Sequence, residues 1–451
     1  MADIRIIGAG LSGCEAALQA ADRGLRVDLY EMRPLKNTGA HKTDGFAELV
    51  CSNSLGSELP SRSSGLLMLE LEMLGSHLIN IAKKCRIPAG HALAIDRNLF
   101  SNLVTQHIKA HPNIRVIRKE ITKIPAGKVI IASGPLTSEA LVKSIQTLTN
   151  KANLFFYDAI APIIDFNTIN MNIAFWGSRY GKGFNKKGDY INCPFKELEY
   201  TEFVRHLVNA ERIRLKDFEK NINSGVRAGK SAFFEGCLPI EVMAARGKKT
   251  LAFGPLRPVG LTNPHTDEKP YAVVQLRQDN KKGDAFNLVG FQTNLKISEQ
   301  KRVFRMIPGL ENAEFIRFGQ MHRNTFLATP EVLNSNFQLR DDPNIYFCGQ
   351  ITGVEGYLAN IASGLNAGIN IARRNQSLEW LQFPETTMIG ALIGFVSHSS
   401  IEEFQPMKPN FGLLPPLANP VKLKKAKYEA YASRAQKDLA IYLAENVPQS
   451  I

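Results

Sequence analysis

Two cysteines stand where a thiol could do chemistry. Cys51 lies in AELVCSNSL (Ala47 to Leu55), where the apolar step Leu49-Val50 ends and Ser52-Asn53-Ser54 begins. A packing cysteine would have apolar neighbours on both sides. Cys237 lies in AFFEGCLPIEVMAARG, between Gly236 and Leu238-Pro239, a pattern that reads as a loop. Glu235 and Glu241 are close by, and Arg246, Lys248 and Lys249 follow. A thiolate in such a place can add to an electron-poor carbon or move a proton. Taken alone, a single loop cysteine is more often structural. Cys14, Cys85 and Cys348 read as packing residues, and Cys193 in INCPF fits either role. No two cysteines are spaced as CxxC, so no local dithiol or zinc motif is expected, and no metal site.

The elements that must position these thiols start at the N-terminus. Ile4 to Ile7 predict a short apolar strand, followed by Gly8, Gly10 and Gly13 as G-x-G-x-x-G. An alanine-rich helix to about Gly24 and a second strand from Leu25 to Tyr30, ending at Glu31, complete a dinucleotide-binding unit. Gly8 permits the turn, Gly10 lets a pyrophosphate approach the backbone, and Gly13 lets helix and strand pack closely. Glu31 can accept hydrogen bonds from ribose hydroxyls. Near the other end, NIYFCGQITGVEGYLANIASGLNAGINIARR predicts a strand over 344–348, a glycine turn and a helix over 355–373. Its small residues recur at helical spacing, so that face can lie against another backbone. KVIIASGPL (128–136) predicts a further strand of the same sheet. Fingerprint and C-terminal strand-turn-helix together point to FAD, held by a nucleotide domain that an insertion splits. No second G-x-G-x-x-G follows a strand, so a pyridine nucleotide would bind transiently.

The fold class expected is α/β: a Rossmann-like, glutathione-reductase-like FAD domain over 1–165 and 325–375, interrupted by an α+β insertion over 166–324. A helical segment over 376–451 would pack on the FAD domain. In the insertion, YAVVQLRQDN and AFNLVGFQTNL read as neighbouring strands, and GKGFNKKG (181–188), which follows no apolar strand, reads as a basic loop. The C-terminal VKLKKAKYEAYASRAQKDLAIYLAEN reads as a basic amphipathic surface helix, with RNA contact as the sharper role. Over 451 residues, 55 Lys and Arg outnumber 42 Asp and Glu, a net charge of +13 that favours an anionic partner, nucleic acid first. The N-terminus enters a strand at once, and MIGALIGFV (388–396) is too short to span a bilayer, so a cytoplasmic protein without a membrane partner is expected.

GAGLSGCEAA, LYEMRP, AELVCSNSL, ALAIDR, IIASGPLTS, FFEGCLPIEVMAARG, FGPLRPVGL, AVVQLRQDN, MHRNTF and CGQITGVEGYL occur in that order along nearly the whole chain. With them the chain resembles the TrmFO family, the folate- and FAD-dependent tRNA (uracil-5-)-methyltransferases, related to the MnmG/GidA flavoproteins. The resemblance implies methylation of C5 of the T-loop uridine at position 54 of tRNA. Methylenetetrahydrofolate would be the donor, FAD would carry the methylene and the hydride, and NADH or NADPH would be the reductant. It implies Cys51 and Cys237 as catalytic thiols, Cys237 adding to C6 and Cys51 serving as base. The fingerprint and the resemblance together place cofactor contacts at Gly8, Ala9, Gly10, Leu11, Ser12, Gly13, Glu31, Arg33, Gly349, Gln350, Gly353 and Gly356. His322 and Arg323 fit folate, flavin or RNA contact as well as an interior pair. Cys348 stands where the family usually has alanine. A ribosomal RNA uridine as target, a flavin-dependent disulfide reductase, and a non-enzymatic RNA-binding flavoprotein are the rival readings.

Overall fold

The computed structural model describes residues 2–151, 154–213, 238–401 and 404–446, without the side chains of 154–157 and Arg323. Cys237 and the two residues before it lie outside the described residues. The organising element is a five-stranded parallel sheet in the order Ile345–Phe347, Val129–Ile131, Ile4–Ile7, Val27–Glu31, Ile114–Arg118. Its central strands are near-continuous apolar runs because helices cover both faces. The sequence places the strand after the first helix at 25–30, and it forms at Val27–Glu31. Gly24 (φ +85°) and the Leu25 amide close the helix end, with Leu25 N–H bonded to Ala20 O, so pairing starts two residues later.

Two helices sit back to back on this sheet. Leu11–Asp22 follows the first strand, and Tyr357–Asn375 follows the last. The second starts two residues later than its sequence predicts, because Gly356 adopts φ +93° and serves as N-cap. The small residues let the backbones meet: a Cβ on Gly364 would lie 2.2 Å from Ser12 O.

The second core, within 161–313, surrounds a six-stranded antiparallel sheet in the order Phe175–Gly177, Tyr190–Phe195, Ala272–Gln278, Ala285–Leu288, Ile163–Asp165, Phe315–Arg317. Ala272–Gln278 and Ala285–Leu288 are neighbours, as their alternation predicts. The loop over 181–188 follows the edge strand Phe175–Gly177, contrary to the sequence reading; that strand ends in Gly177 and buries only Phe175, so it lacks the unbroken apolar run of the equally short Val129–Ile131. Leu154–Ala159 and Met321–Phe326 pair antiparallel where the chain passes between the two cores. The C-terminal basic segment forms the helix Lys424–Asn446. Among the described residues no single helix is long and apolar enough to cross a membrane.

Candidate active site

A cleft of about 980 Å³ opens at the carboxyl ends of the parallel strands. Of the residues expected there, Gly8, Gly10, Leu11, Ser12, Glu31, Arg33 and Gln350 line it, joined by Ser133, Gly134, Tyr357 and Asn360. Ala9, Gly13, Gly349, Gly353 and Gly356 do not line it. A Cβ on Gly13 would lie 1.8 Å from Gly8 O, and one on Gly349 2.1 Å from Ser12 Oγ. Gly353 lies against the Phe404 ring. Glu31 takes the Ala9 amide on Oε2 at 3.1 Å and binds Arg33 Nε at 3.0 Å. These bonds hold its carboxyl below the usual range although burial opposes them. The glycine cradle, the N-terminus of Leu11–Asp22, which has no side-chain cap and lines the cleft, and an ionised acid at the second strand's end fit the FAD expected there.

Cys51 does not line this cleft itself but follows Val50, which does. Its loop is held from four directions. Tyr357 Oη accepts from Cys51 N at 2.9 Å and donates to Ser52 O at 2.9 Å. Arg97 donates to Leu49 O at 2.8 Å and to Cys51 O at 3.3 Å. Arg317 donates to Val50 O at 3.2 Å and Cys51 O at 3.1 Å. Arg277 holds Asn53 Oδ1 at 2.8 Å and Ser52 Oγ at 2.6 Å. Asp279 in turn binds Arg97 at 2.5 and 2.8 Å. Three arginines thus converge on the backbone and polar side chains of the loop that carries the thiol.

On its other side Cys51 faces a smaller, polar cavity of about 410 Å³, lined also by Ser52, Arg277, Asn287 and Gln292. The segment that follows Cys237 joins this cavity: Ile240 N donates to Gln292 O at 2.7 Å. Glu241 accepts from Thr293 Oγ1 at 2.9 Å and Asn294 N at 2.7 Å.

Charge in the site is set by burial. Cys51 keeps some exposed surface, but burial, aided by Asp158, pushes its thiol up to about 11, while Arg317 and Arg97 pull it down. Burial pushes Glu355 up to about 7, with Asp158 adding to the effect. Burial and Arg317 bring His322 down to about 4, so it is neutral, and its buried Nε2 has no hydrogen-bond partner among the described residues. Cys14, Cys85, Cys193 and Cys348 are buried, as packing residues should be, which resolves Cys193. Arg97, Arg277, Arg317, Asp279 and Tyr357 were missed as site residues. Arg97, Arg277, Asp279 and Tyr357 stand in motifs named above and Arg317 does not, and nothing local ties an arginine to a thiol so distant in sequence. Among the described residues no group of three His, Cys, Asp or Glu side chains could hold a metal ion.

Known proteins resemble this chain in sequence and fold. The family model for glucose inhibited division protein A (GIDA) matches residues 3–379. The methylenetetrahydrofolate--tRNA-(uracil-5-)-methyltransferase TrmFO of Natranaerobius thermophilus is 53% identical over 441 residues, covering 98% of this chain and 99% of that protein. The TrmFO proteins of Persephonella marina and Enterococcus faecalis are each 52% identical, covering 99% and 96% of this chain and the same shares of their own. The crystal structure of Aquifex aeolicus GidA (form II) superposes with a TM-score of 0.66 at 16% identity, over 98% of this chain and 73% of that one, which shows a shared fold. At more than half identity end to end, this chain belongs to the TrmFO family of folate-dependent tRNA (uracil-5-)-methyltransferases, within the wider GIDA group.

Proposed function

We propose that the protein methylates C5 of the T-loop uridine at position 54 of tRNA, with methylenetetrahydrofolate as donor and NADH or NADPH as reductant, in the cytoplasm. The observation that carries this reading is the clamped Cys51 loop, set between a dinucleotide cleft and a polar cavity of about 410 Å³.

FAD, when bound in the cleft, would carry the one-carbon unit and supply the hydride that completes the methyl group. The chain's own residues handle the base. C5 of uracil is a poor nucleophile until a thiolate adds at C6 and the ring becomes an enolate. We assign that addition to Cys237. The anchoring of Ile240 on Gln292 supports it, because Gln292 and Cys51 line the same cavity. Once C5 has bonded to the one-carbon unit, its proton must leave, and Cys51 takes it. Expulsion of Cys237 from C6 then restores the thiolate and the aromatic base. The raised pKa of Cys51 means that its resting side chain carries a proton. The thiolate must therefore form as substrates fill the site, and Arg97 and Arg317 are the cations that favour it. Asn287 and Gln292 offer the amide donors and acceptors that a uracil edge requires.

The test combines purified protein, FAD, NADPH, methylenetetrahydrofolate and unmodified tRNA transcript. 5-Methyluridine is read by nucleoside mass spectrometry, with Cys51→Ala and Cys237→Ala in parallel. Product from the wild type alone is expected. Absence of product from the wild type overturns the reading, and full activity in either variant removes that thiol from the mechanism.

A further inference from the structure

The loop that joins the strands Phe175–Gly177 and Tyr190–Phe195 is basic, aromatic and rigidly anchored. Asp189 is buried and spends its carboxylate on backbone amides: Phe184 N at 2.9 Å, Asn185 N at 2.9 Å and Gly90 N at 2.6 Å. The loop's one acid is thus turned inward, while residues 181–187 are all exposed, with Lys182, Lys186 and Lys187 among them. None of these three lysines forms an ion pair with a described residue. Two aromatic rings stand largely in solvent beside them: Tyr180 is 66% exposed, and Phe184 is 63% exposed with the Arg86 guanidinium 5.6 Å from its ring centre. Tyr180 holds φ +58°, a strained setting for a bulky residue, fixed by its amide bonded to Gly260 O at 2.8 Å. A protein that locks an aromatic residue in this conformation and leaves its ring in water gains nothing for its own core.

The loop is continuous with the reactive cavity along two paths. Tyr190, at its base, is the register partner of Arg277, which lines the cavity with Cys51. Arg179 Nε binds Gln275 on the same central strand at 3.0 Å, and its Nη1 binds Val259 O at 3.2 Å. That second contact is to the segment 255–260, whose Pro255 packs against Gly290 of the cavity wall. Exposed Arg257 adds a further cation there.

We propose that this hairpin loop is an RNA-engaging element at the mouth of the cavity. Tyr180 and Phe184 stack on unpaired nucleotides beside the extruded uridine, and Lys182, Lys186 and Lys187 contact the adjoining phosphates. Rings on a basic rim fit single-stranded RNA, because every base offers a face to stack on and the backbone supplies the charge. Extruding a stacked uridine costs about a few kcal/mol. Stacking its neighbours on fixed rings offsets part of that cost. The proposal rests on the tRNA-methylation reading above.

The test uses the full-length protein and unmodified tRNA transcript. Binding is measured by fluorescence anisotropy across a salt series, separately from 5-methyluridine formation. The variants are Phe184→Ala, Tyr180→Asn, which keeps a residue tolerant of the left-handed backbone, and the triple Lys182→Gln, Lys186→Gln, Lys187→Gln. Each aromatic variant is expected to lose roughly five- to hundredfold in affinity with little change in salt dependence. The triple variant is expected to flatten the slope of log K against log salt by about 2 to 3. Unchanged melting temperatures establish that the variants fold. Wild-type affinity and slope in all variants overturn the proposal, as does loss of self-association in place of RNA affinity. A wild type that binds tRNA through this loop but forms no 5-methyluridine overturns the methylation reading instead. One that does not bind tRNA overturns both.

Discussion

The Tyr357 hydroxyl and the Cys51 amide, 306 residues apart, meet at 2.9 Å, and the same hydroxyl returns a hydrogen bond to Ser52 O at 2.9 Å. Tyr357 opens the helix behind the dinucleotide cleft, and Cys51 opens onto the second cavity. One phenol therefore fixes the thiol's loop to the element that shapes the cofactor site.

Tyr357→Phe keeps the ring and leaves a donor and an acceptor unpaired. The cost is about 1–3 kcal/mol at the loop. If the loss falls on the reactive geometry, kcat drops roughly tenfold for each 1.4 kcal/mol. Steady-state kinetics on tRNA check this, with kcat reduced more than the KM for RNA is raised. A change in KM alone would place Tyr357 in binding rather than in holding the thiol.

The dinucleotide unit was legible because its parts lie within 31 consecutive residues, each with its own local signature. Gly8, Gly10, Gly13 and Glu31 need no distant partner to be recognised. The clamp on Cys51 was not legible in this way. Arg97 reaches Cys51 O from 46 residues away and Arg317 from 266, and such pairings are set by topology rather than by spacing. The strand Phe175–Gly177 was missed because it ends in glycine and buries only Phe175, whereas Val129–Ile131, no longer, is an unbroken apolar run. The small-residue face of Tyr357–Asn375 was legible as a close-packing surface, since Gly364 and Gly368 recur at one turn.

The thiol of Cys51 is held near 11 by burial and lowered by the Arg317 guanidinium. In the substrate-free protein its alkylation by iodoacetamide should therefore climb about tenfold per pH unit from neutrality and level off near 11, because only the thiolate reacts. Removing the cation with Arg317→Met should move that curve to higher pH. Peptide mass spectrometry isolates Cys51 from the other thiols. A uniform drop at every pH, with no displacement of the curve, would show that Arg317 acts only by holding the loop.

Glu70 is buried and accepts from Met388 N at 2.7 Å and Ile389 N at 2.8 Å, at the start of the helix Met388–His398. Burial pushes its carboxyl from 4.5 to about 7. The folded state then keeps the proton over a window in which the unfolded chain has released it. The folded state binds more protons there, so stability falls as pH rises from about 4.5 to 7, by about 3 kcal/mol at most. Glu70→Gln cannot ionise and should lack this component. Denaturant titrations at pH 5 and pH 8 should find the wild type's advantage over the variant smaller at pH 8. An equal difference at both pH values would contradict the assignment.

Gly364 tests the coupling between packing and cofactor retention. A methyl group there would stand 2.2 Å from Ser12 O and 2.7 Å from Ser12 Cα, both backbone atoms of the fingerprint helix. Neither can swing aside as a side chain would. Gly364→Ala must therefore push the helices Leu11–Asp22 and Tyr357–Asn375 apart, at about 1–3 kcal/mol for overpacking. The displacement carries Ser12 and Asn360 with it, both of which line the cleft. Flavin retention should fall along with the melting temperature, read from the absorbance of the purified protein and from dissociation during dialysis. Gly394, a helical glycine with no atom of the described residues within 4 Å of its Cβ position, is the control: Gly394→Ala should leave both measurements unchanged. If Gly364→Ala lowered the melting temperature but retained flavin as the wild type does, the helix pair would serve stability alone.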